Sequence, residues 1–394
     1  MNTEFFSIGK YVKGSSFSFP GGATEYYFMF DSKSDISFEH ELNNIYDTYK
    51  EAMAECGLSE DTIVFTRLYI SDIANQKDML RDSKIFKALK SGAVSVIQQC
   101  PVYGGDVKII MYHIKQDGRK LDKEIFNYNE ERHRNGALIR GKNYDFLWVA
   151  NFYGVGAFDS YEQTTEIFQT FNTILTDNEM NLLDNCVRTW VYVRDVDNHY
   201  KGMVESRKLY FEENGLTPET RYIASTGIEG FSNETNSIVA FDAYAIKNIK
   251  PEQIVRMEAL ENLSPTIDYG VTFERGSRIR FGDRSHLHIS GTASIDKYGE
   301  VMHLTDVKKQ TKRTIENVKA LLEPHGAKLE NMAYILCYVR NLKDRRKVMD
   351  VLKKEIPENI PLVMLEGAVC RPSWLIELEG VAIIPDETDY PPFF

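Results

Sequence analysis

Cysteine is scarce in this 394-residue chain and poorly placed for cross-linking. The five residues, Cys56, Cys100, Cys186, Cys337 and Cys370, are odd in number and far apart, and no CxxC or Cys/His cluster occurs. That excludes a disulfide framework and fits a reducing compartment. No stretch approaches the roughly 18 apolar residues of a membrane span. The opening MNTEFFSIGKYVKG lacks the basic-then-apolar order of an export signal. A cytoplasmic protein, without membrane partners, is expected. Positive charge is also short: 47 basic against 58 acidic residues give a net charge of -11. Nucleic-acid affinity is mostly phosphate neutralisation, so no nucleic-acid partner is expected. There is no G-x-S-x-G, Walker or Rossmann pattern, and no cofactor is expected. His286 and His288 lie two apart and share a strand face, but no third ligand stands at metal spacing; they read as structural histidines, with no metal.

What the chain does have is internal repetition. Three segments share an apolar strand ending in tyrosine, apolar, polar, acid or amide, apolar: Leu68-Tyr69-Ile70-Ser71-Asp72-Ile73, Val191-Tyr192-Val193-Arg194-Asp195-Val196 and Cys337-Tyr338-Val339-Arg340-Asn341-Leu342. The tyrosines are 123 and 146 residues apart. Each strand is preceded by a stretch of helical period: Leu42, Ile45, Tyr46, Tyr49 and Met53; Ile167, Phe168, Phe171, Ile174 and Leu175; Val307, Thr311, Ile315, Val318 and Leu322. Ser160 with Gln163 offers a capping box for the second. Trailing helices are carried by Tyr200, Met203, Val204 and Phe211 in copy two and by Val348, Val351 and Leu352 in copy three; Met79, Phe86 and Leu89 give a weaker signal in copy one. Each copy opens on hairpin-like material and closes on an apolar strand. From the repeat tyrosine to the closing position is 43 residues in copies one and three and 52 in copy two, which places nine extra residues there, assigned to Ser232-Asn233-Glu234-Thr235-Asn236.

The unit therefore reads β-β-α-β-α-β, an α+β fold with both helices on one sheet face. The other face is bare. Three units can cover one another's bare faces as an intramolecular pseudo-trimer. The bounds are 1–117, 135–250 and 265–385, with linkers over Lys115–Arg134 and Asn248–Ser264 and an extended Pro-rich tail. Such a chain is expected to be monomeric or a low-order homo-oligomer.

The copies differ most on the closing strand. Aligned on Tyr112, Tyr244 and Val381, one position holds Lys108, Ala240 and Glu377, and the next on the same face holds Ile110, Asp242 and Glu379. Strand alternation puts Glu377 and Glu379 on one face, toward a neighbouring copy, and Ile376 and Leu378 on the other, toward the helices. Two carboxylates side by side away from water push one pKa upward, which makes a general acid. The alternative is that both pair with arginines at a domain junction. Just upstream, Arg371 offers a planar fork for a ligand carboxylate or a salt bridge to Glu366 or Glu377. Cys370 is either reactive or buried filler. Ile289-Ser290-Gly291-Thr292-Ala293-Ser294-Ile295 reads as a strand running into small residues, suited to close approach of a ligand or to a tight bend.

On these residues the chain resembles the RidA (YjgF) superfamily, also labelled endoribonuclease L-PSP or translation initiation inhibitor. The third copy carries most of the likeness, through Ile289–Ile295, Asn317, the Tyr338 strand and Val369-Cys370-Arg371-Pro372 followed by Ile376-Glu377-Leu378-Glu379-Gly380. Copies two and three together, about 136–385, are similar to the chorismatase branch, two-repeat enzymes that remove the enolpyruvyl group of chorismate. The resemblance implies a chorismate-mutase-like fold and active sites in clefts between units. It also implies a small anionic metabolite as substrate, with Glu379 or Glu377 as general acid. Arg371, Cys370, Gly291, Thr292, Ala293, Ser294, Tyr338 and Arg340 would then surround the substrate. The family's imine deaminases use an arginine early in the penultimate segment; copy three has Val363 there, and copy two has Arg221 in a similar place. An enamine/imine deaminase using Arg221 and a non-catalytic metabolite-binding module are the competing functions.

Overall fold

The computed structural model describes residues 3–116, 118–127, 135–154, 158–232 and 236–394. The first repeat contains β1 (Glu4–Ile8), β2 (Val12–Phe17), β3 (Thr24–Phe30), α1 (Phe38–Cys56), β4 (Ile63–Ile70), α2 (Ile73–Asp82), α3 (Lys84–Leu89), β5 (Ala93–Gln98) and β6 (Val107–Lys115). The second contains β7 (Asp122–Asn127), β8 (Asn135–Arg140), β9 (Asp145–Tyr153), α4 (Ser160–Asp177), α5 (Leu182–Asn185), β10 (Cys186–Val193), α6 (Val196–Glu213), β11 (Ala224–Glu229) and β12 (Val239–Lys247). The third contains β13 (Ile254–Arg256), β14 (Gly276–Arg280), β15 (Arg284–Thr292), α7 (Val307–Leu322), β16 (Met332–Val339), α8 (Arg345–Glu355), β17 (Leu362–Glu366) and β18 (Ile376–Pro385). The three six-stranded sheets share one strand order: the closing strand lies between the third strand and the repeat-tyrosine strand, as in β1-β2-β3-β6-β4-β5.

The expected unit is present three times, with two more strands in each. β5, β11 and β17 run parallel to β4, β10 and β16. They are five or six residues long, and in so short a run periodicity does not separate strand from helix. β7 and β13 fall inside the stretches read as linkers, where they pair with β8 and β14 as sheet edges. Two smaller expectations fail. The cap of α4 is Asp159, whose carboxylate accepts from the Glu162 N–H, and Gln163 instead accepts from the Ile238 and Val239 N–H groups. The nine extra residues of copy two lie between the repeat-tyrosine strand and Thr226, four by the end of α6 and five in the loop after it, and not in the Ser232–Asn236 run, part of which (233–235) lies outside the described residues. Trp190 pairs with Thr226, 36 residues on, whereas Leu336 pairs with Val363, 27 on. From there to Asp242 or Glu379 is 16 residues in both copies. α6 ends 21 residues after Tyr192 and α8 ends 17 after Tyr338; Thr226 then follows 13 residues on and Val363 eight.

The helices cover one face of each sheet, and the stripes read from the sequence are the buried ones: Ile167, Phe168, Phe171, Ile174 and Leu175 on α4, for example. The other three faces meet in a shared interior. Tyr69, Tyr192 and Tyr338 are fully buried there. Aromatic stacks cross between repeats, with Phe65 4.7 Å from Trp148 and Tyr27 5.4 Å from Tyr334. Backbone bonds close one end of the seams: the Gln98 N–H donates to Phe231 O, Val102 to Met364 O and Glu229 to Ala368 O. Each seam also holds a buried arginine–carboxylate pair. Arg67 of repeat one meets Asp242 of repeat two at 2.8 Å, Arg188 of repeat two meets Glu379 of repeat three at 2.6 Å, and Arg284 of repeat three meets Glu25 of repeat one at 2.7 Å. His286 stands 3.0 Å from Glu25, and both nitrogens of His288 lack hydrogen-bond partners among the described residues. No described helix is long and apolar enough to cross a membrane, and among the described residues no group of His, Cys, Asp or Glu is arranged to hold a metal ion.

Removing one partner of such a pair leaves a buried charge uncompensated. Asp242→Ala is expected to destabilise the fold by about 3–5 kcal/mol, and Arg67→Met with Asp242→Leu to recover most of that, measured by denaturant unfolding. Burial alone would raise the Glu25 carboxyl, but His286 and Arg284 outweigh it and lower it from 4.5 to about 2. A depressed carboxylate stabilises the fold above its unfolded pKa. The contribution of Glu25 is therefore expected to be complete above about 4.5 and to be lost as pH falls toward 2, whereas Glu25→Gln should flatten that acid limb.

Candidate functional site

β18 places its alternating side chains on two sides. Leu378 packs against Ile315 and Val318 of α7. Glu377 and Glu379 face the opposite way, into the seam with repeat two, and are only 3% and 2% exposed. β10 and β11 of repeat two supply the far wall.

The two carboxylates have different surroundings. Glu379 is bound by four donors. One oxygen accepts from Arg188 Nη2 at 2.6 Å and from the Thr226 hydroxyl; the other accepts from Trp190 Nε1 at 3.2 Å and from the Tyr338 hydroxyl at 2.9 Å. Glu377 Oε1 is buried and has no hydrogen-bond partner among the described residues. Burial and then the charge of Glu379 push its carboxyl up to about 8, against the opposing pull of Arg188 and Arg275. An acid of this kind holds its proton at neutral pH.

Glu377 borders a small, partly open cavity. Its walls are Tyr200 and Arg207 from α6, Phe273 from the segment before β14, and Cys370, Arg371 and Trp374 from the loop before β18. The guanidinium of Arg371 lies 5.6 Å from the Trp374 ring, and those of Arg207 and Arg275 lie 6.0 and 5.7 Å from the Phe273 ring. Arginine over aromatic walls suits a flat anion. A second cavity lies beyond the Glu274–Arg275 wall, but its Arg256 and Glu274 pair with each other at 3.1 Å.

Gly291 allows Glu377 to sit where it does. β15 bulges between Ile289 and Thr292, and a Cβ on Gly291 would overlap the Glu377 carboxylate. The rest of that motif turns away from the cavity. Thr292 bonds Ser290 O, Ala293 O accepts from Asn317, and Ser294 bonds Met302 O. The Gly291 N–H is already used by the Thr226 hydroxyl, so Gly291 offers no open backbone donor for an anion. Arg340 is not at the cavity either; it donates to Val369 O and pairs with Asp197, clamping repeat three to repeat two. Cys370 is half-buried, and burial, with Glu377 nearby, pushes its thiol up to about 12, which makes it a wall and not a nucleophile. Arg221 is the clearest correction. It precedes β11 and donates to Leu183 O at 2.7 Å and Cys186 O at 2.7 Å, tying down the end of α5. By strand register the position of Val363 is held in repeat two by Thr226 and in repeat one by Ser95, and neither is arginine.

The residues that sequence reading passed over come from repeat two: Arg188, Trp190, Thr226 and Arg207. One signal was present. Arg207 falls on the same apolar stripe of α6 as Met203, Val204 and Phe211, and Arg188 sits inside an otherwise apolar strand. A charge at a core position needs a buried partner or a ligand.

Residues 279–384 match the family described as endoribonuclease L-PSP. A RutC family protein of Pyrococcus abyssi is 36% identical over 98 residues, 24% of this chain and 76% of that protein. A protein named 3-aminoacrylate deaminase RutC, from Acinetobacter baylyi, is 26% identical over 97 residues, 24% of this chain and 77% of its own length. A crystal structure of a chorismatase superposes with a TM-score of 0.63 at 16% identity, over 90% of this chain and 98% of that one, a likeness of fold. With the sheet repeated three times and the relatives matching a repeat's length, the chain belongs to the RidA superfamily, that of RutC and endoribonuclease L-PSP, as a tandem-repeat member.

Proposed function

We propose that the seam between repeats two and three is an active site that removes the enolpyruvyl group of a carboxylated metabolite, in the manner of a chorismatase. The observation that carries the reading is Glu377: a buried carboxyl with an unpartnered oxygen, its pKa raised to about 8, bordering a cavity lined with arginines. Glu379 is the lesser candidate for the acid, because both its oxygens are taken by donors. Glu377 gives its proton to the methylene carbon of the enol ether. The ether oxygen stabilises the resulting cation, water adds to it, and the added water returns a proton to Glu377. The hemiketal hydroxyl then gives up its proton, the bond between the hemiketal carbon and the ether oxygen breaks, and that oxygen takes a proton and stays on the ring, releasing pyruvate and an alcohol. Arg207 and Arg371 hold the substrate carboxylates, with Trp374 and Phe273 against its flat faces.

Incubating chorismate with the protein and coupling pyruvate to lactate dehydrogenase tests this. Wild type is expected to release pyruvate, and Glu377→Gln to lower kcat by about 10²–10⁴-fold. A metabolite-binding module would show chorismate raising the melting temperature with no pyruvate above the Glu377→Gln background, and that outcome overturns the reading. Arg207→Ala should raise KM, whereas Arg221→Ala should leave turnover of the folded protein intact.

The reaction needs the protonated acid, so kcat is expected to be level at neutral pH and to fall as pH rises past about 8. Gly291→Ala, which crowds Glu377, should lower kcat with the fold retained by circular dichroism.

A further inference from the structure

The hydrogen-bond network around Glu379 has a direction that can be read atom by atom. Arginine and indole nitrogens only donate, so Arg188 and Trp190 both require an acceptor. The Thr226 oxygen has two lone pairs and one proton. It accepts from Arg188 Nη2 at 2.7 Å and from the Gly291 N–H at 2.9 Å. Both lone pairs are then taken, and the remaining proton points at Glu379, its third neighbour. The Tyr338 hydroxyl completes the set on the other carboxylate oxygen. A proton on Glu379 would require breaking one of these bonds or reversing the one from Tyr338. Glu377, on the same face of the same strand, has an oxygen with no donor at all.

We infer that Thr226 is a positioning residue: by locking Glu379 as an anion and pinning the Gly291 bulge against Glu377, it keeps the pair's shared proton on the carboxyl that faces the cavity. This rests on the reading of Glu377 as the acid. Repeat two thereby sets the protonation of repeat three, and the site is incomplete without both. Around Glu377 stand Glu379 on its own strand, Arg188 on β10, Arg207 on α6, Arg275 before β14, and Cys370 and Arg371 before β18. None of these bonds to its free oxygen, so the donors on Glu379 decide where the proton lies. Thr226 also stands in register with Val363 and Ser95, so the hydroxyl has no arginine equivalent in the other repeats.

Thr226→Val keeps the shape and removes the hydroxyl. It destabilises both states in which Glu379 is charged and spares the state in which Glu379 holds the proton. The proton then moves partly onto Glu379, where it cannot reach substrate. In single-turnover measurements the rate at pH 6.5 is expected to fall about tenfold, KM to stay within about twofold, and the descending limb to move up by about one pH unit. The wild-type and Thr226→Val profiles should therefore converge at high pH, and Thr226→Ser should restore the wild-type profile. General damage to the site lowers the rate by one factor at every pH, and parallel profiles would overturn the proposal. Full activity in Glu377→Gln would overturn the underlying reading instead. Infrared difference spectra over pH 6–10 give a readout without turnover. Glu377→Gln should abolish the protonated-carboxyl band that titrates in wild type, and Thr226→Val alone should keep a band but change its frequency, because the proton has moved to a carboxyl with other hydrogen-bond partners. A band unchanged in Thr226→Val also overturns the proposal.

Discussion

Three buried arginine–carboxylate pairs, one at each seam, determine how this chain holds together. Taking a guanidinium and a carboxylate out of water is costly, and geometry has to return that cost. Here Arg67, Arg188 and Arg284 are fully buried, and each partner carboxylate comes from a different repeat. Apolar and aromatic packing supplies most of the adhesion, but it is indifferent to register. The ion pairs are not: each joins one named strand position to one other, so three similar sheets meet in one arrangement.

The candidate site grows out of one of these pairs. At the first seam Asp242 meets Arg67 with Ala240 beside it, so there is one carboxylate and one arginine. At the second seam Glu379 takes the same role toward Arg188, and the next residue on that face is a second carboxylate without an arginine of its own. The surplus carboxylate is what gives the second seam its acid. At the third seam Lys108 holds the place of Glu377 and pairs with Asp31. The same framework thus presents an alanine, an acid and a base at three equivalent positions.

Much of this was legible in the sequence because it repeats. The strand carrying Tyr69, Tyr192 and Tyr338, the helical stripes, and the asymmetry at positions 377 and 379 are patterns within one chain, and strand alternation gave the shared face. Long-range partners were not legible. Nothing near Glu379 in sequence announces Arg188, 191 residues away. The two glutamates look alike as letters and differ because four donors reach one of them. Arg221 sits near the position its family role would need, but strand register puts Thr226 there. The Ser-Gly-Thr-Ala-Ser motif looked like a binding loop, and only its glycine borders the cavity. The insertion in copy two was countable but misplaced, because the polar run at 232–236 resembles a loop insertion more than a longer helix end and the loop after it do.

α6 carries both Tyr200 and Arg207 to the cavity, and it runs four residues further past its repeat tyrosine than the equivalent helix of repeat three, with five more residues in the loop that follows. In a trimer of identical subunits every change is made three times, and nine added residues would have to be tolerated at all three junctions. Joining the three units in one gene removes that constraint. A single junction can acquire a longer arm and an extra carboxylate while the other two keep their own fit, so specialisation of one becomes compatible with integrity of the whole.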